Sequence, residues 1–416
     1  MRILVWQVET EHYNESFMTT HPKPPDAANP VSPAPADSQA SALLRHLAER
    51  CPAMLSTLRS WVELESPSFQ KNAVDTLGQA LAAEFRSRGG QIQFHPSQNF
   101  GNHLQVDFPA ETGAPILLLG HFDTVWETGT LNSMPCHESQ GRLWGPGVLD
   151  MKAGIVQMLF AIEALTAIHG RMPRPVTVWL VTDEEVGSDS SRSLTEALAA
   201  KMSAVLVLEP AAGLHGALKT SRKGVGDYTV QVTGRAAHSG LDFEKGRNAI
   251  VELSRQVLEI AGFTDLDRGL TVNPGIIRGG TRTNVVPESA AVEVDIRVEK
   301  SIDALELDRR FRELKPFDKL CQISVSGGLN RPPMERTEKN LELFALARSL
   351  GVELGLNLQE TSVGGGSDGN FTSALGIPTL DGLGAAGEGA HAVNESILIS
   401  ELAPRTALLA RLIQSA

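Results

Sequence analysis

MKAGIVQMLFAIEALTAIHGRMPRPVTVWLV, residues 151–181, decides the fold class. Met151 to Ile168 is strongly apolar and too long for a strand, so it reads as a helix. Val176 to Val181 is short and wholly apolar, as a strand covered on both faces would be. Outward from this pair the alternation continues. Ile116 to Leu119 reads as a strand before it, Leu194 to Met202 as a helix and Ala204 to Leu208 as another strand after it. Helix and strand in turn, with apolar strands, predict an α/β fold whose mostly parallel central sheet gathers ligands at the carboxyl ends of its strands. Upstream, Leu43, Leu44, Leu47, Met54, Leu55, Leu58 and Trp61 recur at helical spacing from Ala40 onward.

The pattern changes after Glu209 and Pro210. Asp227 to Thr233 and Ala290 to Val298 alternate as half-buried strands do, Asn248 to Ile260 and Ala304 to Leu314 read as helices, and Gln322 to Val325 as a short strand. That order resembles a β-α-β-β-α-β unit and predicts an inserted α+β, ferredoxin-like domain over residues 215–330. The α/β pattern resumes from 331, with a helix near Leu341 to Leu350, a strand near Thr379 and a helix over Leu402 to Ile413. The first domain is thus expected to comprise 40–214 and 331–416.

A chain of 416 residues suits two domains, because single cores stop growing near ~250–300 residues. Its net charge of −12 argues against nucleic acid, which needs a concentrated basic surface. Cys51, Cys136 and Cys321 are widely spaced and lack CxxC spacing, so they read as free thiols in a reducing compartment. The apolar stretch Ile3 to Val8 is too short for a membrane helix or a signal-peptide core, and a cytoplasmic location is expected. Pro, Ala, Ser and Asp dominate Thr19 to Ser38, and residues 1–39 are expected to form a disordered N-terminal segment.

Five segments carry chemistry. GHFDTV, residues 120–125, puts His121 and Asp123 on one side of an extended chain just after an apolar strand. Asp123 can then fix the tautomer of a metal-bound His121. WGPGVLDMKAG, residues 144–154, delivers Asp150 from a glycine-rich loop to a helix start, where it could equally serve as an N-cap. VTDEEVGS, residues 181–188, crowds three carboxylates, which a cation would relieve. Of the adjacent Glu184 and Glu185, one can bind metal while its neighbour, held off the metal, takes a proton as general base. Glu209 closes the strand Ala204 to Leu208, and His391 lies in the loop GAAGEGAHAVNE. Two histidines and three carboxylates without cysteine suit zinc or a similar divalent ion. His103, His137, His169 and His215 lie outside these segments and are given no role. Gly364 to Gly369 lacks the Lys-Ser/Thr ending of a phosphate loop.

The ordered set GHFDTV, GPGVLDMKAG, TDEEVGS, LEP, GRAAHSG, GGTRTNVVP and GGGSDGNF resembles the co-catalytic zinc peptidases that include glutamate carboxypeptidase, aminoacylase and succinyl-diaminopimelate desuccinylase. The stretch from TVWETGTL through RLWGPGVLDMKAG is most similar to the bacterial glutamate carboxypeptidases. The resemblance implies two zinc ions per chain bridged by Asp150, one held also by Glu185 and His391, the other by His121 and Glu209. It implies Glu184 as general base and Asp123 as partner of the ligand histidine. It also implies that the inserted domain is a lid and homodimer surface, from which His238 reaches the partner's site. Asn284, Arg297, Arg331 and Gly366 match positions near bound substrate. Arg331 is the first choice for gripping a carboxylate. Ala153 replaces a glycine common in the family, and the loop before His391 also departs from the commoner patterns. The expected activity is cleavage of an amide beside a free carboxylate, releasing a C-terminal amino acid. Deacylation of N-acyl amino acids and dipeptide cleavage are the alternatives. A silent, metal-stabilised binding protein is the non-enzyme alternative, against which the retained Glu184 speaks.

Overall fold

The computed structural model of the protein describes residues 39–416. The expectation for the N-terminal segment lies outside the described residues.

The central sheet has six strands in the spatial order Gln91–His95, His103–Phe108, Val176–Val181, Ile116–His121, Ala204–Val207 and Thr379–Leu380. The last four run parallel, and His103–Phe108 is antiparallel to both of its neighbours. Every residue of Ile116–His121 and Val176–Val181 is buried, as strands covered on both faces must be. The helix Ala153–His169 packs beside Gln39–Val62 and Ile399–Ser415 in one large apolar core. The segment Val148–His169 is long and apolar enough to cross a membrane, with a mean hydropathy of 1.5, but 78% of it is buried inside the protein. It is a core helix.

A second sheet, with the order Thr271–Gly279, Ser289–Val298, Gly224–Thr233, Gln322–Arg331, is antiparallel throughout. With the helices Ala249–Ala261 and Ser301–Arg312 it encloses its own apolar cluster around Tyr228, Val292 and Phe311. The element order is β-α-β-β-α-β. The sequence reading missed Thr271–Gly279, because Pro274 argues against a strand. The structure accommodates it at the sheet edge, with a register shift between Pro274 and Ile276.

Two glycines place the segments that carry the candidate ligands. Gly147 has a φ of 70°, which turns the loop into Asp150. A Cβ on Gly154 would stand 2.1 Å from the Leu208 carbonyl oxygen. Only glycine therefore lets this helix approach the strand end that presents Glu209.

Candidate metal centre

His121 ends the buried strand Ile116–His121. Its Nδ1–H faces the Asp123 carbonyl oxygen at 3.0 Å and the Asp123 carboxylate at 3.5 Å. Asp123 Oδ2 is itself held by the Ser68 hydroxyl at 2.7 Å. This fixes the tautomer and leaves Nε2 free as a ligand. His121 Nε2 lies 3.0 Å from Asp150 Oδ1 and 3.3 Å from Glu209 Oε1. On the other side, His391 Nε2 lies 3.3 Å from Asp150 Oδ2 and 3.1 Å from Glu185 Oε2. Asp150 thus divides its two oxygens between two ligand sets.

The N-cap alternative for Asp150 fails. Its backbone is non-helical (φ −114°, ψ 95°), and the helix Ala153–His169 has Lys152 as its cap, without a side-chain bond. The helix expected from Met151 starts two residues later for the same reason.

These separations test the fit of a metal. Zinc bonds of ~2.0–2.1 Å in a tetrahedron place neighbouring donor atoms roughly 3.3 Å apart, and the four contacts above fall at 3.0–3.3 Å. Glu185 Oε1 is buried without a hydrogen-bond partner, a costly state that a cation relieves. The electrostatics agree. Burial opposes charge on His121, yet bonds to Asp123, Asp150 and Glu209 raise its pKa well above the ordinary value. Hydrogen bonds to Asp150 and Glu185 push His391 up to about 10, and burial pushes Glu185 up to about 7. The site strongly favours positive charge.

Glu184 stands apart from the two sets. Its side chain is 12% exposed and Oε1 accepts from Arg331 Nη2 at 3.1 Å. Burial raises its pKa well above the carboxylate range, the direction suited to a group that accepts and returns a proton near neutral pH. Its donor atom still falls within 4.8 Å of His121 and Glu209 atoms.

Residues 117–415 match the family described as Peptidase family M20/M25/M40. The chain belongs to that family. Its M20 relatives include carboxypeptidase G2 of Pseudomonas sp. (strain RS-16), 29% identical over 91% of this chain and 92% of that protein. Acetylornithine deacetylase of Myxococcus xanthus is 30% identical over 60% of this chain and 68% of its own length. Among solved structures, aminopeptidase PepT of Bacillus cereus superposes with a TM-score of 0.73 at 20% identity, covering 88% of this chain and 98% of that one. A dinuclear metal-binding M20 peptidase of Bacillus subtilis gives 0.63 at 12% identity, with 88% and 98% covered. The α/β peptidase fold and the metallopeptidase/amidohydrolase class expected from sequence are therefore established.

The M20 chain brings five expected ligands and Glu184 together, but not every expected site residue. Arg331 is 7% exposed and its Nη2 donates to Glu184, Ser188 and Asp368. Gly366 packs on it, since a Cβ there would meet Arg331 Cδ at 3.0 Å. Arg297 instead pairs with Asp295 at 2.8 Å on the second sheet. His238 and Asn284 are both exposed. His238 pairs with Val285 in a two-stranded ladder, the next residue, Ser239, donates its N–H to the Asn284 carbonyl oxygen, and among the described residues His238 Nδ1 accepts from its own loop, at Gly240 and Leu241.

Sequence reading missed three positioning residues. Arg222 grips Asp381 with two 2.8 Å bonds and reaches Glu209 Oε2 at 3.2 Å. Glu395 accepts from the backbone N–H groups of Gly147, Leu149 and Asp150 and from the Trp126 indole, at 2.8–3.0 Å. Asp368 receives Ser188 and Arg331. Glu395 ends the quoted segment GAAGEGAHAVNE, four residues after His391, and that spacing was the available signal.

Proposed function

We propose that this M20 hydrolase cleaves the amide between an acyl group and an amino acid bearing a free carboxylate, with two zinc ions held by His121, Asp150, Glu185, Glu209 and His391. The observation that carries the reading is Glu184, a carboxylate outside both ligand sets yet within reach of them. When bound, the zinc pair supplies Lewis acidity and an acidified water. Glu184 takes a proton as the water oxygen adds to the amide carbon, and returns it to the nitrogen as the C–N bond breaks. A carboxylic acid and an amine result. Arg331 holds Glu184 in place, and its Nε, buried without a partner, is a donor left for the substrate carboxylate. Resemblance to the glutamate carboxypeptidases supports a glutamate-like released residue. The likeness to acetylornithine deacetylase favours, as a second reading, an N-acyl amino-acid deacylase of other side-chain preference.

The remaining parts of the reading follow the family resemblance. Residues 215–330 form a lid and homodimer surface, and His238 with Asn284 completes the partner's site, consistent with their exposure away from the ligand sets. Arg297 is carried, on the resemblance alone, as a position near bound substrate. Three free thiols suit the cytoplasm.

The test is hydrolysis of N-acyl glutamates and other N-acyl amino acids by chelator-treated protein before and after zinc, with Glu184→Gln alongside. Recovery of activity near two zincs per chain, and its loss in Glu184→Gln while zinc stays bound, is the expected result. Zinc binding without cleavage of any amide would leave a binding protein.

A further inference from the structure

Glu184 is close enough to the metal centre to be drawn into it. One of its oxygens lies within 4.8 Å of donor atoms of both His121 and Glu209, and a carboxylate there is as able to bind zinc as Glu185 or Glu209. On that side His121, Asp150 and Glu209 already supply three protein donors. Zinc sites that keep a position open for water have three protein ligands, and a fourth closes them. A Glu184 that moved onto this metal would cease to carry protons and would displace the water. The pull is strong, because a dication is the largest local charge in such a site. We propose that Arg331, anchored by Asp368 and Ser188, guards against this misligation and so keeps three donors, not four, on the metal at His121 and Glu209. The proposal rests on the two-metal reading above.

One nitrogen does the holding. Arg331 Nη2 donates to the Glu184 carbonyl oxygen at 2.8 Å and to Glu184 Oε1 at 3.1 Å, so it fixes the backbone and the side chain of the same residue. Nη2 is itself fixed by the Ser188 hydroxyl oxygen at 2.7 Å and Asp368 Oδ1 at 3.2 Å. Ser188 Oγ donates to the same Asp368 oxygen at 2.5 Å. Both anchors are buried, and among the described residues neither side chain bonds a candidate ligand. Ser188 keeps its place at φ 62°, a backbone uncommon outside glycine; glycine would make this turn more easily but bring no hydroxyl. The guanidinium also lies over the Phe371 ring, 5.4 Å from its centroid, and the neighbouring Asn330 Nδ2 donates to the Gly187 carbonyl oxygen at 3.0 Å. The turn is thus held at both ends. Arginine suits the task, since it stays charged and has no lone pair to offer a metal.

The experiment reads metal coordination in the zinc-loaded full chain. A crystal structure of the wild type should show Glu184 clear of both zincs, and one of Arg331→Met should show a Glu184 oxygen ~2.0–2.2 Å from the zinc at His121 and Glu209. In competition titrations Arg331→Met should bind zinc about tenfold tighter than wild type, and the gain should shrink when the same change is made in Glu184→Gln. Loss of the guanidinium charge alone tightens zinc equally in both backgrounds, so the difference isolates the new bond. A merely structural arginine predicts no such difference. Amide hydrolysis by Arg331→Met should fall by about 100-fold or more despite the tighter metal. Ser188→Ala leaves the charge and removes one anchor; it should place Glu184 on zinc in part, and it keeps the test open should Arg331→Met fail to fold. Glu184 bonded to zinc in the wild type, or clear of it in both variants, overturns the proposal. Coordination does not depend on turnover. If no amide is cleaved by any form but Glu184 moves onto zinc in Arg331→Met, the guard stands and the hydrolase reading falls.

Discussion

Arg222 is the residue on which Glu209 depends. It is 4% exposed and answers two carboxylates, Asp381, which is fully buried, and Glu209. Arg222→Met leaves both without their cation, and breaking a buried pair in this way costs about 3–5 kcal/mol. A lower urea midpoint is the expected outcome. Arg222→Lys keeps the charge but loses the fork that bonds both Asp381 oxygens, and a loosened ligand should weaken zinc binding by roughly 10–100-fold. Wild-type zinc affinity in a competition titration of Arg222→Lys would show that Glu209 needs no such brace. The thiols make a separate prediction. Burial pushes Cys136 up to about 11, so at pH 8 its thiolate fraction, and hence iodoacetamide labelling of the native protein, should be about a hundredfold below that of an ordinary thiol. Rapid labelling would show that burial does not protect this thiol. At this scale the candidate ligands were legible because each follows an apolar strand or sits in or just after a glycine-rich loop. Arg222 and Asp381 were not, because 159 residues separate them and only the folded sheet makes them neighbours.

Elements carry these residues, and the loop before the core helix shows how. Glu395 spends both carboxylate oxygens on three backbone N–H groups of residues 147–150 and on the Trp126 indole. One side chain thus ties the Asp150 loop, the His391 loop and the segment after His121 together. Glu395→Gln replaces one acceptor oxygen by an NH2 that faces N–H donors, so at least one buried donor loses its partner at a cost of about 1–3 kcal/mol. Zinc affinity is expected to fall by roughly 10–100-fold, and Glu395→Asp, which retains both oxygens, should recover part of it. If Glu395→Gln binds zinc as tightly as wild type, the loop is held by its glycine geometry alone. The core helix and Val176–Val181 were legible from unbroken apolar runs. The antiparallel strands Gln91–His95 and His103–Phe108 were not. The former exposes two of its five residues and buries none, so it lacks the apolar signature of its neighbours.

At the scale of the whole molecule, the second sheet leaves a surface that asks for a partner. Thr271–Gly279 is an edge strand with Ile276 and Ile277 exposed, and the neighbouring helix Ala249–Ala261 exposes Val251 and Leu258. Unpaired edges and clustered apolar side chains mark association surfaces. His238 and Asn284 lie at a separate two-stranded ladder of the same inserted segment, exposed and, among the described residues, bonded locally or through backbone. A group placed there can act on a metal centre only if that centre is brought to it, by lid closure within one chain or by a second protomer. Mixing two inactive variants distinguishes these routes. In a 1:1 mixture of Glu184→Gln and His238→Ala, half the dimers are mixed, and each mixed dimer contains one site with Glu184 from one chain and His238 from the other. Exchange should therefore restore roughly a quarter of wild-type activity. Sedimentation at the same concentrations should report a dimer. A mixture that stays inactive although mixed dimers form would place His238 in its own chain's site, and a monomeric, fully active enzyme would remove the partner altogether.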